Sequence, residues 1–397
     1  LLSKVEPLQF RFGTRLEDGT KTQVFFLPAV AWNTHNGMML GATFHNTTIP
    51  LRNFEWMVTP LISNPVFSFS NEAHLSGFAQ LSYHTGPLSI NFKARRFSTT
   101  EFIDTMNVGL IKNPTPMNRL SFSVARKLNA VTNSKWESKI KYESVFVNGF
   151  MDSEYYDETP FRSSHSFAFD AINKRVKTKG LKQKMGFETR QFSTMENQLE
   201  PMPGGFELIL SKDVFNISTV YYEATKRISN SNKKIKLNVL SSIIFHDEDV
   251  AVWNGPNNNA QISTSGYGAQ FDPMADNLLL NRGASWGLLS AQTQLDHGAL
   301  PLRNLAREWM SSAKLEYELA KYLSVFAGAL VYDDDNFEAV AGVTCSIGPF
   351  QIHMPLYSTS MINDIEANDS SYEPYKYWMF SLNLNQLNPW GIIRNTN

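Results

Sequence analysis

The sequence predicts an all-β protein: a transmembrane antiparallel β-barrel of about sixteen strands, with a long extracellular loop folded over or into the lumen. Three observations predict it. Apolar residues recur with period two almost everywhere, the alternating runs reach a dozen residues or more, and short connections alternate with long ones. Strands of ordinary soluble sheets average about 5–6 residues, so the run length separates a spanning strand from a sandwich strand.

The alternation is explicit in several stretches. Leu88, Ile90, Phe92 and Ala94 alternate with Ser89, Asn91, Lys93 and Arg95. Trp136, Ile140, Tyr142 and Phe146 share one face of the next example, and Glu137, Lys139, Lys141 and Glu143 the other. Trp309, Ala313, Leu315 and Tyr317 oppose Glu308, Ser312, Lys314 and Glu316. Trp378, Phe380, Leu382 and Leu384 alternate with Met379, Ser381, Asn383 and Asn385.

Composition agrees with this reading. No window of the 397 residues approaches the run of ~18–20 apolar residues that a spanning helix needs, whereas a barrel strand needs only ~9–11 alternating ones. The 28 Phe, 14 Tyr and 8 Trp are enough to furnish interfacial girdles at both membrane surfaces. A net charge of -1 argues against a nucleic-acid partner. Cys345 is the single cysteine, which rules out an intrachain disulfide and a cysteine zinc cage. The chain starts Leu-Leu-Ser with no signal peptide, as expected of a mature chain or a piece of a longer one.

Residues 1–21 form a periplasmic lead-in, in which Leu8, Phe10 and Phe12 suggest a short strand and Asp18-Gly19 a turn. Residues 22–397 form the barrel. Its strands fall near 22–33, 38–46, 53–62, 74–84, 87–97, 117–128, 135–148, 163–177, 181–193, 214–228, 233–246, 305–319, 321–333, 336–346, 348–357 and 375–388. Sixteen is even, as a closed bacterial barrel requires, and it places both termini in the periplasm. The short connections are 47–52, 85–86, 129–134, 178–180, 229–232, 320 and 347. The long ones are 98–116, 149–162, 194–213, 247–304 and 358–374. Irregular backbone as long as 247–304 must be solvated outside or folded into a polar lumen as a plug.

That long loop contains Leu278-Leu279-Leu280-Asn281-Arg282-Gly283. Sixteen strands with an Arg-Gly pair on a long sixth extracellular loop resemble the BamA-type assembly and secretion superfamily. The resemblance implies that Arg282 and Gly283 form a latch docking on the inner wall of the twelfth to fourteenth strands. Here Ala284 follows where an aromatic is usual. The thirteenth strand reads Phe326-Ala327-Gly328-Ala329-Leu330, without the family's acidic residue, so Glu308, Glu316 or Glu318 would have to serve as partner. Residues 23–40 (QVFFLPAVAWNTHNGMML), 51–61 (LRNFEWMVTPL) and 380–394 (FSLNLNQLNPWGIIR) look like the C-terminal barrel of Bacteroidetes zinc-aminopeptidase-like outer-membrane proteins. The parent family's His-Glu-x-x-His helix is absent, so its peptidase activity does not transfer.

The remaining candidate residues each carry two readings. Arg282 is either a guanidinium seeking a carboxylate fork in a partly desolvated lumen or a solvated loop residue. The inward charges Lys93, Arg95, Glu137, Lys139, Lys141 and Glu143 either line a channel or pair across strands and brace a filled barrel. Lys182, Lys184, Glu188, Arg190, Lys314 and Glu316 stand under the same alternatives. Pro28 cannot donate to a ladder, so it either loosens a seam between first and last strands or is tolerated at a bulge. Pro60 and Pro355 sit in strands that should not be edges. The eight histidines are scattered and no nucleotide loop or nucleophile elbow is present, so no catalytic, cofactor or metal site is predicted. The expected function is a non-enzymatic anchor or scaffold in the bacterial outer membrane. Its partners would be outer-membrane lipids, including lipopolysaccharide, and other outer-membrane or periplasmic subunits. The alternatives are a BamA-type insertion or translocation barrel and a diffusion porin or uptake channel.

Overall fold

A computed structural model describes residues 8–13, 16, 18, 20–33, 37–48, 52–63, 75–101, 114–128, 136–148, 161–173, 180–202, 205–228, 233–246, 262–263, 266–267, 300–302, 305–333, 336–348, 350–366 and 377–382. Seventeen strands belong to one predominantly antiparallel sheet. The first part of the chain supplies β1 (Leu8–Phe12), β2 (Thr22–Asn33), β3 (Gly37–His45), β4 (Phe54–Ser63), β5 (Leu75–Thr85) and β6 (Leu88–Glu101). It continues with β7 (Pro114–Lys127), β8 (Trp136–Asn148), β9 (Phe161–Asn173), β10 (Leu181–Met202), β11 (Gly205–Arg227) and β12 (Lys234–His246). After a small sheet made of β13 (Ile262–Ser263), β14 (Gly266–Tyr267) and β15 (Leu305–Ala306), the meander resumes. It adds β16 (Trp309–Ala320), β17 (Leu323–Tyr332), β18 (Asn336–Ile347), β19 (Phe350–Ser358) and β20 (Met379–Leu382).

The chain divides into two compact units. The first comprises Leu1–Lys127, Lys141–Ser166 and Phe192–Val214. Within it, β2 to β7 form an antiparallel ladder, for example Pro28 opposite Ala42, Pro60 opposite Gly77 and Phe92 opposite Phe122. The second comprises Leu128–Ile140, Phe167–Gln191 and Phe215–Asn397. There Lys236 lies opposite Glu316, Lys314 opposite Gly328, and Cys345 opposite Ile352.

Setting β1 aside leaves sixteen strands, one for each strand read from the sequence. β1 itself makes the total odd. It runs parallel to β2, with Leu8 opposite Thr22 and Phe12 opposite Phe26, so the turn held by Asp18 does not close a hairpin. That turn is real: the Thr20 amide donates to Asp18 Oδ1 at 3.0 Å and the Lys21 amide to the Asp18 carbonyl at 3.2 Å. Among the described residues no pairing joins β20 to β2, so the sheet they form is open rather than closed. The last strand is described only from Met379 to Leu382, and the predicted 383–388 lies outside the described residues.

Two predicted loops are regular structure. Residues 194–202 and 205–213 belong to β10 and β11, which are 22 and 23 residues long. The alternation weakens there, but strand pairing needs main-chain partners only. The connection 358–374 opens with α1 (Thr359–Glu366). Ser358 caps it, its hydroxyl accepting the Met361 amide at 3.1 Å. Predicted strand 305–319 starts four residues late, because Leu305 and Ala306 pair with Ile262 and Ser263 of the small sheet instead.

The faces are inverted relative to a soluble sheet. On β7, Arg119, Ser121 and Ser123 are buried, while Leu120 and Phe122 between them are 46% and 41% exposed. On β16, Ser312, Lys314 and Glu316 are buried while Leu315 is 53% exposed. On β12, Asn238 and Ser242 are buried while Ile243 and Phe245 are exposed. A soluble antiparallel sheet packs its apolar face and solvates its polar one. Spanning strands that alternate apolar-out and polar-in do the reverse. No helix among the described residues is long and apolar enough to cross a membrane. The fold class is therefore that of the strand-built membrane proteins.

Candidate functional site

The chemistry-bearing side chains lie on the buried polar face, and each unit holds its own set. In the second unit the register places Lys236 of β12 directly opposite Glu316 of β16, with Nζ 3.3 Å from Oε1. Lys314, two residues from Glu316 on the same strand face, approaches Oε2 at 3.8 Å. One buried carboxylate thus answers two ammonium groups. Lys184–Glu223 at 3.8 Å and Lys234–Glu318 at 3.7 Å extend the pattern, and Arg190 donates to Glu188 at 2.7 Å. Opposite charges at facing or i, i+2 positions satisfy one another across the ladder, so this face is cross-linked by charge.

Beside this network, β17 presents Phe326, Gly328 and Leu330 on the same face. Gly328 stands opposite Lys314, and an added Cβ would collide with the Leu300 side chain and lie 2.6 Å from the Ala313 carbonyl oxygen. Leu300 belongs to the end of the long 247–304 connection and is fully buried, and Pro301 and Leu302 are buried beside it in the chain. The missing side chain at Gly328 is the notch in which Leu300 sits. The described end of the long connection is therefore folded against the polar face by an apolar contact. It lies on the strand where the sequence lacks the expected acidic residue.

His353 of β19 is another buried group. Its Nδ1 is 3.0 Å from Thr344 Oγ1 and its Nε2 3.3 Å from Ser381 Oγ. Ser381 also reaches Gln351 Oε1 at 3.4 Å. A Ser–His pair suggests a nucleophile, but among the described residues no carboxylate hydrogen-bonds the imidazole to orient it. In the sequence His353 is one of eight scattered histidines. The cross-strand match of Thr344 to His353 brings one hydroxyl to it, and the pairing of β19 with β20 brings that of Ser381.

In the first unit, Lys93 faces Ser121 and Arg95 faces Arg119 across β6 and β7. Arg119 is buried and donates to Ser121 Oγ at 3.2 Å. Lys141 donates to the buried Glu143 at 2.6 Å. Lys93 and Arg95 are half-buried, as are Glu137 and Lys139 of the second unit. Arg119 and Arg162 were not singled out in the sequence, although Arg119 continues the period-two polar set of β7.

Arg282 and Gly283 lie outside the described residues. Of their candidate partners, Glu308 is exposed, whereas Glu316 and Glu318 already face lysines. Pro28 lies opposite Ala42 and two residues beyond the last β1 pairing at Phe26, on a stretch of the β2 edge that β1 does not reach. Pro355 lies opposite Gly342 beside a register shift, and Pro60 opposite Gly77. The ladder thus meets two of its internal prolines with glycine. Among the described residues no group of three His, Cys, Asp or Glu side chains is placed to hold a metal ion.

No protein-family model matches the chain, and no curated protein matches it. Solved structures similar in fold include CdiB from Escherichia coli (TM-score 0.43, 11% identity, covering 84% of this chain and 59% of that one). CdiB from Acinetobacter baumannii gives a TM-score of 0.40 at 8% identity, covering 84% and 56%. A mutant of the ferric enterobactin receptor of Pseudomonas aeruginosa gives 0.41 at 10% identity, covering 83% and 51%. The chain spans between half and three-fifths of the length of these structures.

Proposed function

We propose that this chain is a non-enzymatic outer-membrane β-barrel that anchors or scaffolds other domains or subunits at the membrane. The observation that carries the reading is the inverted sheet. Its outward alternation is apolar and exposed, and its polar face is buried and crossed by ion pairs such as Lys236–Glu316 and Lys141–Glu143. A conducting pore needs a hydrated path, usually with one dominant sign at its constriction. Here opposite charges pair, and Leu300 is folded against the polar face. Both features favour a filled, plugged interior over a porin. Outer-membrane lipids, lipopolysaccharide among them, would face the exposed apolar side chains. Protein partners would be outer-membrane or periplasmic subunits or a covalently linked domain.

Planar-bilayer recording of the purified, heat-modifiable protein tests the reading. Small or no steady current is expected. Large, stable open-channel currents would overturn the plugged scaffold in favour of a pore.

A second reading, an insertion or translocation barrel, is favoured by one observation. The edge of β2 beyond Phe26, where Pro28 lies, has no partner strand among the described residues. The coding sequence upstream of Leu1 separates the two. Repeated periplasmic substrate-handling domains there would favour translocation, and a peptidase-like domain would favour the anchor.

A further inference from the structure

We infer that the short-turn rim of the second unit is a docking surface for anionic phospholipid headgroups, built from Lys226, Lys233 and Lys321 with Tyr317 and Tyr322. The inference rests on the membrane-spanning reading above. Side-chain parity puts Lys226 on the apolar face, and ring contacts set Lys233 and Lys321 beside Tyr317 and Tyr322. On β11, Val220, Tyr222, Ala224 and Lys226 alternate with Tyr221, Glu223, Thr225 and Arg227. Val220 is exposed, and Glu223 takes Lys184 on the polar face, so Lys226 ends the apolar series. Lys233 precedes β12 and extends over the Tyr317 ring at 5.7 Å. Tyr317 in turn lies opposite Ile235, on the face that carries Leu315 opposite Leu237. Lys321, in the turn between β16 and β17, extends over the Tyr322 ring at 5.0 Å.

Reading outward along β16 and its neighbours, the exposed face therefore passes from Leu315 and Leu237 to Tyr317 and Leu319 and then to ammonium groups. Tyr belongs where hydrocarbon gives way to headgroups, and lysine stems lie on apolar surface while the charge reaches the polar layer. What lies at that level besides water is phosphate. The carboxylates of this rim do not compete for it. Glu318, Glu316 and Glu223 all turn to the polar face, where they meet Lys234, Lys236 and Lys184. Among the described residues Lys226, Lys233 and Lys321 make no ion pair. Cations on the apolar side of this rim, with its described glutamates turned to the polar face, match a leaflet rich in anionic phospholipid at the short-turn side.

The test is the urea unfolding midpoint of the full chain in nanodiscs of phosphatidylcholine, with and without phosphatidylglycerol. Heat-modifiable gel migration in both lipids is scored first. Its absence would strike at the barrel itself, and its presence isolates the lipid question. Phosphatidylglycerol is expected to raise the midpoint of the unaltered chain, and the increment should disappear as salt shortens the Debye length from ~30 Å at 0.01 M to ~3 Å at 1 M. The triple variant K226Q/K233Q/K321Q should lose most of the increment, and K226R/K233R/K321R should keep it. An unaltered chain indifferent to phosphatidylglycerol, an increment unmoved by salt, or a glutamine variant that keeps the full increment would each overturn the inference. Should the glutamine variant fail to insert, the salt titration of the unaltered chain decides alone.

Discussion

At the scale of single residues, Glu316 is the point where the polar face is most exposed to error. Its side chain is 11% exposed and Lys314 is 7% exposed, so both charges have left most of their water behind. Lys236, by contrast, keeps 41% of its side-chain exposure. Removing one partner of a buried pair leaves an uncompensated charge, at a cost of about 3–5 kcal/mol. Removing an exposed partner costs ~0–1 kcal/mol. Glu316→Gln is therefore expected to lower unfolding stability several-fold more than Lys236→Met, and the double variant Lys314→Met with Glu316→Gln should recover part of the loss. A urea-unfolding double-mutant cycle in lipid reads this out. Equal effects of the two single changes would mean that Lys314 is hydrated. The residue scale is also where the sequence was least legible. Lys314 and Glu316 could be picked out by alternation, because period two alone puts them on one face. Leu300 could not, because a leucine in an irregular stretch carries no periodic signal, and Gly328 in a strand gives no hint of what fills the space it leaves.

At the scale of elements, the strands between 22 and 148 match their predicted bounds to within a few residues, since alternating burial is itself what makes them strands. Where alternation weakens, the reading fails in both directions. The polar stretch around 194–213 is strand, and the stretch at 359–366 is helix started by the Ser358 cap. β1 fails differently. Its residues read as strand correctly, but its parallel pairing depends on which edge of β2 is open, and local sequence does not encode that. The long hairpin yields a prediction. At ~3.3 Å per residue a 22-residue strand extends about 70 Å, more than twice a hydrocarbon core of ~30 Å. Its outer half therefore makes no contribution to spanning. Deleting 197–210, which removes both outer arms and the tip together, should leave the gel-shift of the folded form and its unfolding midpoint close to those of the full chain. Loss of the folded form would show instead that the outer hairpin is a nucleus or a docking element for the rest of the sheet.

At the scale of the whole molecule, one question governs all others: whether the exposed apolar face meets lipid or water. The two solvents assign opposite costs to the same substitution. Leu315 lies mid-strand on β16 and is 53% exposed, and Leu319 lies on the same face one residue from the strand end. In water, Leu→Arg at an exposed site changes stability by no more than ~0.5 kcal/mol. In a bilayer the same change at the midplane costs ~2–4 kcal/mol and falls to ~0–1 kcal/mol near the interface, where the guanidinium can reach headgroups. Leu315→Arg should therefore destabilise the chain strongly and Leu319→Arg only slightly, with unfolding measured by denaturant in phosphatidylcholine vesicles. The depth gradient is the decisive part. A general packing defect would penalise both sites alike, and a soluble sheet would tolerate both. Only a sheet whose strands run across a hydrocarbon slab penalises the middle of β16 and spares its end. A flat profile along that strand would remove the membrane from the explanation of why the polar side chains of this protein are the buried ones.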